Sequence, residues 1–274
     1  MSLWRRARNR WRRDLSRWCA VRTAYWTATE PVVSFTFDDF PRSALLQGGQ
    51  ILREQGWRGT YYTSFGLMGQ DSPSGKIFSA EDLPEFARQQ HEWGCHTFDH
   101  CHAWETAPAE FEASILRNRL ALAERVPGHQ MLSHAYPIHC ARPEIKTRAA
   151  RYYAGSRGGG QTFNHGRMDL NSLLAFFIEQ SRDDLDAIKR IIDDTLQAQG
   201  WLILATHDVD DVPSAFGCSP ALFKQIVKYV GRSGALVRPV GVVLQSLAQG
   251  APRLPSDCSA TDSGARRAAE SVLT

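Results

Sequence analysis

Val32-Val33-Ser34-Phe35-Thr36-Phe37-Asp38-Asp39 is the stretch that decides the fold. Six β-branched, aromatic or small residues run straight into two carboxylates, and Phe40-Pro41 follows, where a strand ladder stops. Such a run predicts a buried strand that delivers an acidic pair at its C-terminal end. That is the edge where α/β barrels and open α/β sheets keep their chemistry. Side chains alternate along a strand, so Asp38 and Asp39 are expected on opposite faces and in different roles. Taken alone, the pair reads equally well as a turn or a helix cap, because Asp is a common turn residue.

Strand-like and helical segments alternate from there onward. Residues 44–55 have helical spacing (Leu45, Leu46, Ile51, Leu52) and stop at Gly56; residues 59–63 read as a second strand. Ser79 and Asp82 make a capping box for a helix through Gln90, residues 92–97 are extended, and residues 108–125 form a long helix. Further on, strands are expected at 131–135, 152–156, 172–178 and 236–239, and helices at 143–151, 183–199 and 220–231. Residues 201–206, Trp-Leu-Ile-Leu-Ala-Thr, are the most strand-like of all and end in His207-Asp208. This order argues for a mostly parallel sheet with helices outside, as a barrel or an open sheet. The 274 residues, 43% of them hydrophobic, suffice for one sizeable core. With no repeat and no linker before residue 250, one domain over residues 30–250 is expected.

The net charge of +3 is unevenly placed, with Arg5, Arg6, Arg8, Arg10, Arg12, Arg13 and Arg17 interleaved with Trp4, Trp11, Leu15 and Trp18. We read residues 1–29 as a basic helical segment whose tryptophans pack on the domain. Peripheral contact with an anionic membrane is the alternative, and no nucleic-acid partner is expected. No apolar h-region follows the arginine pairs, and nothing approaches a membrane span. The six cysteines show no CxxC pair and are expected as free thiols, which points to a cytoplasmic location. Residues 251–274, small and polar, read as a disordered tail.

Three strand ends carry residues able to bind metal or move protons: Asp38-Asp39, His96-Thr97-Phe98-Asp99-His100, and His207-Asp208. Two histidines four apart plus one carboxylate suit zinc or another first-row divalent ion, with positions left open for water. An HxxxH by itself is more often a pair of surface or core histidines; the ordered conjunction carries the weight.

Thr36-Phe37-Asp38-Asp39, Gly94-Cys95-His96-Thr97-Phe98-Asp99-His100, Ala135-Tyr136-Pro137 and Leu204-Ala205-Thr206-His207 together resemble the motifs of the polysaccharide deacetylase family, the NodB-homology or family 4 carbohydrate esterases. His91-Glu92-Trp93-Gly94 and Gly59-Thr60-Tyr61-Tyr62 are similar to two further family segments, so the resemblance spans roughly residues 30–245. It implies a single-domain α/β fold, a distorted (β/α) barrel, with a metal-dependent site that removes N-acetyl groups from an amino-sugar polysaccharide, oligosaccharide or sugar conjugate. Asp39, His96 and His100 would hold the metal (zinc first, cobalt or nickel as alternatives). Asp38 would be the general base and His207 the general acid, with Tyr136, Pro137 and Ile138 at the substrate and the Ile138 N–H facing the oxyanion. Alternatives are an O-acetyl esterase or non-sugar amidase using the same site, or a non-catalytic carbohydrate-binding domain.

The chain departs from the family pattern in two places. The third-motif arginine that orients the base is missing, and Arg157 is the candidate replacement. For the aspartate that orients the catalytic histidine, only Asp169 offers itself. Asp99 is expected as an outer partner of the histidines or a turn residue, His134 and His139 as ordinary surface histidines, and Gly158-Gly159-Gly160 as a mobile loop.

Overall fold

A computed structural model describes residues 11–249 apart from 13 and 17. The expected tail, and residues 1–10, 13 and 17 of the basic segment, lie outside the described residues. Eight strands form one sheet: β1 (Val32–Asp39), β2 (Thr60–Thr63), β3 (Glu92–Cys95), β4 (Ser133–Ala135), β5 (Gly155–Arg157), β6 (Phe176–Phe177), β7 (Trp201–Thr206) and β8 (Leu236–Val237). Their spatial order is β6-β7-β1-β2-β3-β4-β5, and every pairing is parallel. The short β8 pairs with Val32 and Val33, on the side of β1 that β2 takes further along. A parallel bridge from Arg157 to Leu173, just ahead of β6, draws the two edges toward each other. The sheet is therefore a curled half-barrel in a single domain, and all strand ends emerge on one rim.

Alternation along the strands sorts the core into two layers. Val33, Phe35 and Phe37 of β1, with Leu202 and Leu204 of β7, pack outward under the helices. Val32, Trp201, Ile203 and Ala205 face inward, against Val240, Val243 and Leu244. Each fully buried Phe or Leu contributes about 1.5–3 kcal/mol relative to exposure, so a one-residue slip of β1 would lose most of the layer. The inward layer depends on a helix that the sequence reading did not contain, Val240–Ala248. Its first N–H groups bond to Thr60 Oγ1 and Glu92 Oε1, side chains at the N-terminal ends of β2 and β3. The helix thus plugs the bottom of the half-barrel and leaves the C-terminal rim open.

The helices at 80–89, Pro108–Arg125 and Pro143–Ala149 lie where the patterning puts them, and the Ser79–Asp82 capping box is present. The segment after β1 is π-helical over Ala44–Gly49 and α-helical over Gln50–Arg53. Two strands moved. The expected strand at 152–156 becomes Gly155–Arg157, because Tyr152 and Tyr153 donate their N–H groups to Ala149 and finish a helix turn. The one expected at 172–178 shrinks to Phe176–Phe177.

At the N-terminus, Trp11 stands edge-on to Trp104 at 6.0 Å, whereas Trp18 is 84% exposed. The buried Lys146 ammonium binds the carbonyls of Ser16 and Cys19 and ties this segment to the barrel. Among the described residues no helix is long and apolar enough to cross a membrane, and the five described cysteines are free thiols.

One buried histidine makes stability depend on pH. His91 Nδ1 accepts the Gly59 N–H at 3.1 Å and Nε2 faces Gln89 Oε1 at 2.8 Å, an arrangement that needs the neutral ring. Burial pushes its pKa down to about 3. Between that value and about 6.5 the unfolded chain binds a proton that the folded one does not. The His91 contribution is therefore full above about pH 6.5 and lost as pH falls, by about 1.4 kcal/mol per unit. Glu92 runs the other way, pushed up to about 7 by burial, so a variant must isolate the histidine. Urea unfolding of wild type and His91→Asn from pH 4 to 6 should show the wild-type advantage growing with pH by about that slope; parallel curves would contradict it.

Candidate active site

The rim of the half-barrel gathers the strand-end residues. At β1, side-chain alternation sends Asp38 inward with Ser34 and Thr36. Asp39 would then point away, but its φ is 62°, as is that of Phe40. This left-handed turn, costly for a non-glycine residue, swings the Asp39 carboxylate back into the site. His96 and His100 reach it from the loop after β3, where Thr97 (φ 61°) and His100 (φ 52°) make a tight turn rather than a helix. Cys101 N–H closes that turn on Thr97 Oγ1 at 2.9 Å.

Asp39 Oδ1 lies 3.2 Å from His100 Nε2 and 3.6 Å from His96 Nε2. Although buried, it accepts no well-formed hydrogen bond. Burial alone would raise the Asp39 pKa, but the His100 contact and the His96 charge outweigh it and hold the carboxyl far below its usual range. His96 Nδ1 donates to the Ala135 carbonyl at 2.8 Å, which fixes its tautomer and aims Nε2 at Asp39. One donor atom from each of Asp39, His96 and His100 falls within 4.8 Å of the others. A buried carboxylate oxygen without a hydrogen-bond partner, facing two imidazoles, fits a divalent cation.

Asp38 is held differently. Arg157 Nη2 is 2.6 Å from both of its oxygens, and neither side chain has any exposure. The guanidinium lies between the rings of Tyr62 and Phe177, 5.0 and 5.1 Å from their centroids, which compensates its burial. Burial pushes the Asp38 pKa up, yet the Arg157 charge, followed by His96, His207 and His139, brings it below the usual value. Arg157, the candidate replacement for the third-motif arginine, thus reaches Asp38 from β5.

His207 follows β7 on its inward parity. Its Nδ1 donates to the Phe216 carbonyl at 3.2 Å, leaving Nε2 for the cleft. Asp208 secures this loop by accepting from Ser214 N–H at 2.7 Å and from Ser214 Oγ, and its carboxyl packs against Gly217, where a Cβ would stand 2.3 Å away. Asp169 does not serve His207. It pairs with buried Lys146 at 2.6 Å and accepts the Val21 and Arg22 N–H groups, and His207 meets the Phe216 backbone carbonyl in its place.

In the third motif, Tyr136 is buried and donates its hydroxyl to the Asn171 carbonyl at 3.1 Å. With buried Pro137 it frames a turn in which Ile138 (φ 66°) is half-exposed. The Ile138 N–H has no hydrogen bond among the described residues. Asp99 faces Ser114 and Arg117 and anchors its loop rather than the histidines. His134 is no surface residue but lies buried between Tyr136 and Tyr153, and half-buried His139 packs on Phe177 at 4.1 Å. The triple glycine is pinned too: Gly158 and Gly159 donate to Leu173 and His139 carbonyls. Sequence reasoning passed over Glu179, just beyond β6. Its buried Oε2 has no partner, and burial, with the Asp38 charge adding, pushes it up to about 8. Nothing in its local sequence marks it.

Acids and imidazoles converging on the open rim of a curled parallel sheet are the equipment of a hydrolase. Residues 26–154, just under half of the chain, match the family model for polysaccharide deacetylase, a family of hydrolases of carbon–nitrogen bonds. The chain's fold is similar to that of the chitin deacetylase of Colletotrichum lindemuthianum (TM-score 0.56, 15% identity, 78% of this chain and 88% of that one). It is also similar to a family 4 carbohydrate esterase from Streptomyces lividans (0.53, 18%, 79% and 95%). A family 4 pseudoenzyme from Bacillus anthracis shares it too (0.54, 11%, 79% and 66%). At these identities the likeness establishes the fold. No curated protein matches the sequence.

Proposed function

We propose that the protein is a metal-dependent deacetylase that removes N-acetyl groups from an amino-sugar glycan or sugar conjugate. The observation that carries this is the pairing of two distinct acids at one strand end. Asp39 faces two histidines with a free buried oxygen, and Asp38 beside it is held charged by Arg157. Asp39, His96 and His100 would hold the cation, zinc first, with cobalt or nickel as alternatives. Bound there, it would lower the pKa of water and polarise the acetyl carbonyl.

The remaining steps belong to the chain's own groups. Asp38, ionised and fixed by Arg157, takes the proton of the attacking water. The Ile138 N–H, without a partner among the described residues, donates to the oxyanion that develops on the acetyl carbonyl oxygen. His207, its Nδ1–H committed to Phe216, delivers a proton from Nε2 to the leaving amine. Residues 30–250 would form the catalytic domain and residues 1–29 a basic segment docked on it.

Metal content of the purified protein, measured by elemental analysis alongside acetate release from chito-oligosaccharides, tests the reading. One equivalent of divalent metal with acetate released supports it. Metal with acetate released only from O-acetyl or non-sugar substrates would move the bond, and no metal after reconstitution would indicate a binding domain. His96→Ala and His100→Ala are each expected to lose metal and activity together; a full metal complement in either would refute the ligand set.

A further inference from the structure

The short hairpin pairing Asp71–Ser72 with Gly75–Lys76 rises beside the acidic strand end. Its base is tied to the turn that follows Asp39: Pro41 and Ile77 form an antiparallel bridge, and Phe78 N–H donates to the Phe40 carbonyl at 3.0 Å. Ile77 and Phe78 are fully buried, so this attachment is anchored in the core. Gly75, at φ 100°, turns the tip back on itself. The return brings Ser74, 1% exposed, to within 3.0 Å of Asp39 Oδ2. An ionised carboxylate has no proton to give, so the Ser74 hydroxyl donates. Ser72 Oγ accepts the Ser74 N–H at 3.1 Å and stands 2.9 Å from Ser74 Oγ, which steadies the hydroxyl in that direction.

The two oxygens of Asp39 are thereby made unequal. Oδ2 is capped by Ser74, while Oδ1 turns to His96 and His100. We infer that Ser74 is a positioning residue of the metal site, holding Asp39 so that a single oxygen, Oδ1, is offered to the cation. This rests on Asp39 being a metal ligand, as proposed above. Hydrogen-bond partners behind a ligand typically set affinity by 10–100-fold, because they determine how the ligand is presented. The hairpin also forms one wall of a cleft of about 500 Å³, shared with Arg42, Leu46, Asp208 and Val212. An occupant of that cleft therefore touches the element that aims Asp39.

The test is the Zn²⁺ affinity of the full chain, read by competition with a chromophoric chelator, for wild type, Ser74→Ala, Ser74→Thr and Ser72→Ala. Ser74→Ala should weaken binding roughly 10–100-fold. Ser74→Thr, which keeps the hydroxyl, should restore it, and Ser72→Ala should weaken binding less than Ser74→Ala, because it spares the bond to Asp39 and removes only the contact that steadies the Ser74 hydroxyl. A merely structural role would lower the urea midpoint of the metal-free protein and leave the Zn²⁺ affinity of the folded protein unchanged. Equal affinity in wild type and Ser74→Ala would overturn the role of Ser74 and leave Asp39 as a ligand. No Zn²⁺ binding by wild type would overturn the metal site itself.

Discussion

Arg157→Met is expected to destabilise the folded protein by roughly 3–5 kcal/mol, the usual cost of stripping one partner from a fully buried ion pair. Both side chains are without exposure, and among the described residues Nη2 is the only donor that reaches the Asp38 oxygens. Without it, the largest of the charges that oppose burial at Asp38 is gone, so the carboxyl pKa rises and the protonated form is favoured more. A protonated Asp38 cannot act as the proposed base, so turnover should fall with stability. The double variant Arg157→Met/Asp38→Asn removes both charges and should recover much of the stability but none of the activity. Arg157→Lys keeps the charge but not the planar fork stacked between Tyr62 and Phe177, so it should rescue poorly. Urea unfolding with acetate release measures both effects; wild-type stability in Arg157→Met would show that the pair is not what holds Asp38.

Asp38→Asn separates the proposed base from the proposed ligand beside it. Turnover should drop by about 10² or more, because an amide cannot accept the proton of the attacking water. Metal content should stay at the wild-type level, since the proposed ligand atoms belong to Asp39, His96 and His100. Elemental analysis and steady-state kinetics on the same preparation give both numbers. Near-normal turnover with metal retained would remove Asp38 from the role, and loss of metal would place it among the ligands.

Much of this site was legible one strand at a time. A run of apolar residues that stops at a charged pair, as β1 does at Asp38-Asp39 and β7 at His207-Asp208, reports burial followed by a rim, and burial is written in local composition. Helices with clean periodicity and caps, such as Pro108–Arg125, were legible for the same reason. The strands at 152–156 and 172–178 were misplaced because their limits depend on which neighbour offers hydrogen bonds, and composition does not carry that. The Val240–Ala248 helix escaped because it is buried along the inside of the curl, without an amphipathic stripe to announce it.

By itself, then, the sequence determined most of the order of strands and helices and the residue types at the β1, β3 and β7 strand ends, since both follow from short-range hydrophobic pattern and turn chemistry. Only the tertiary structure decided how those ends are used. A left-handed φ at Asp39 sets aside the strand alternation that would have turned it away from the histidines. Arg157 meets Asp38 across 119 positions, and His207 bonds to the Phe216 carbonyl instead of the Asp169 carboxylate, which pairs with Lys146. These are contacts between residues far apart in the chain or set by backbone geometry, and they form only when the curled sheet brings its strand ends to one rim.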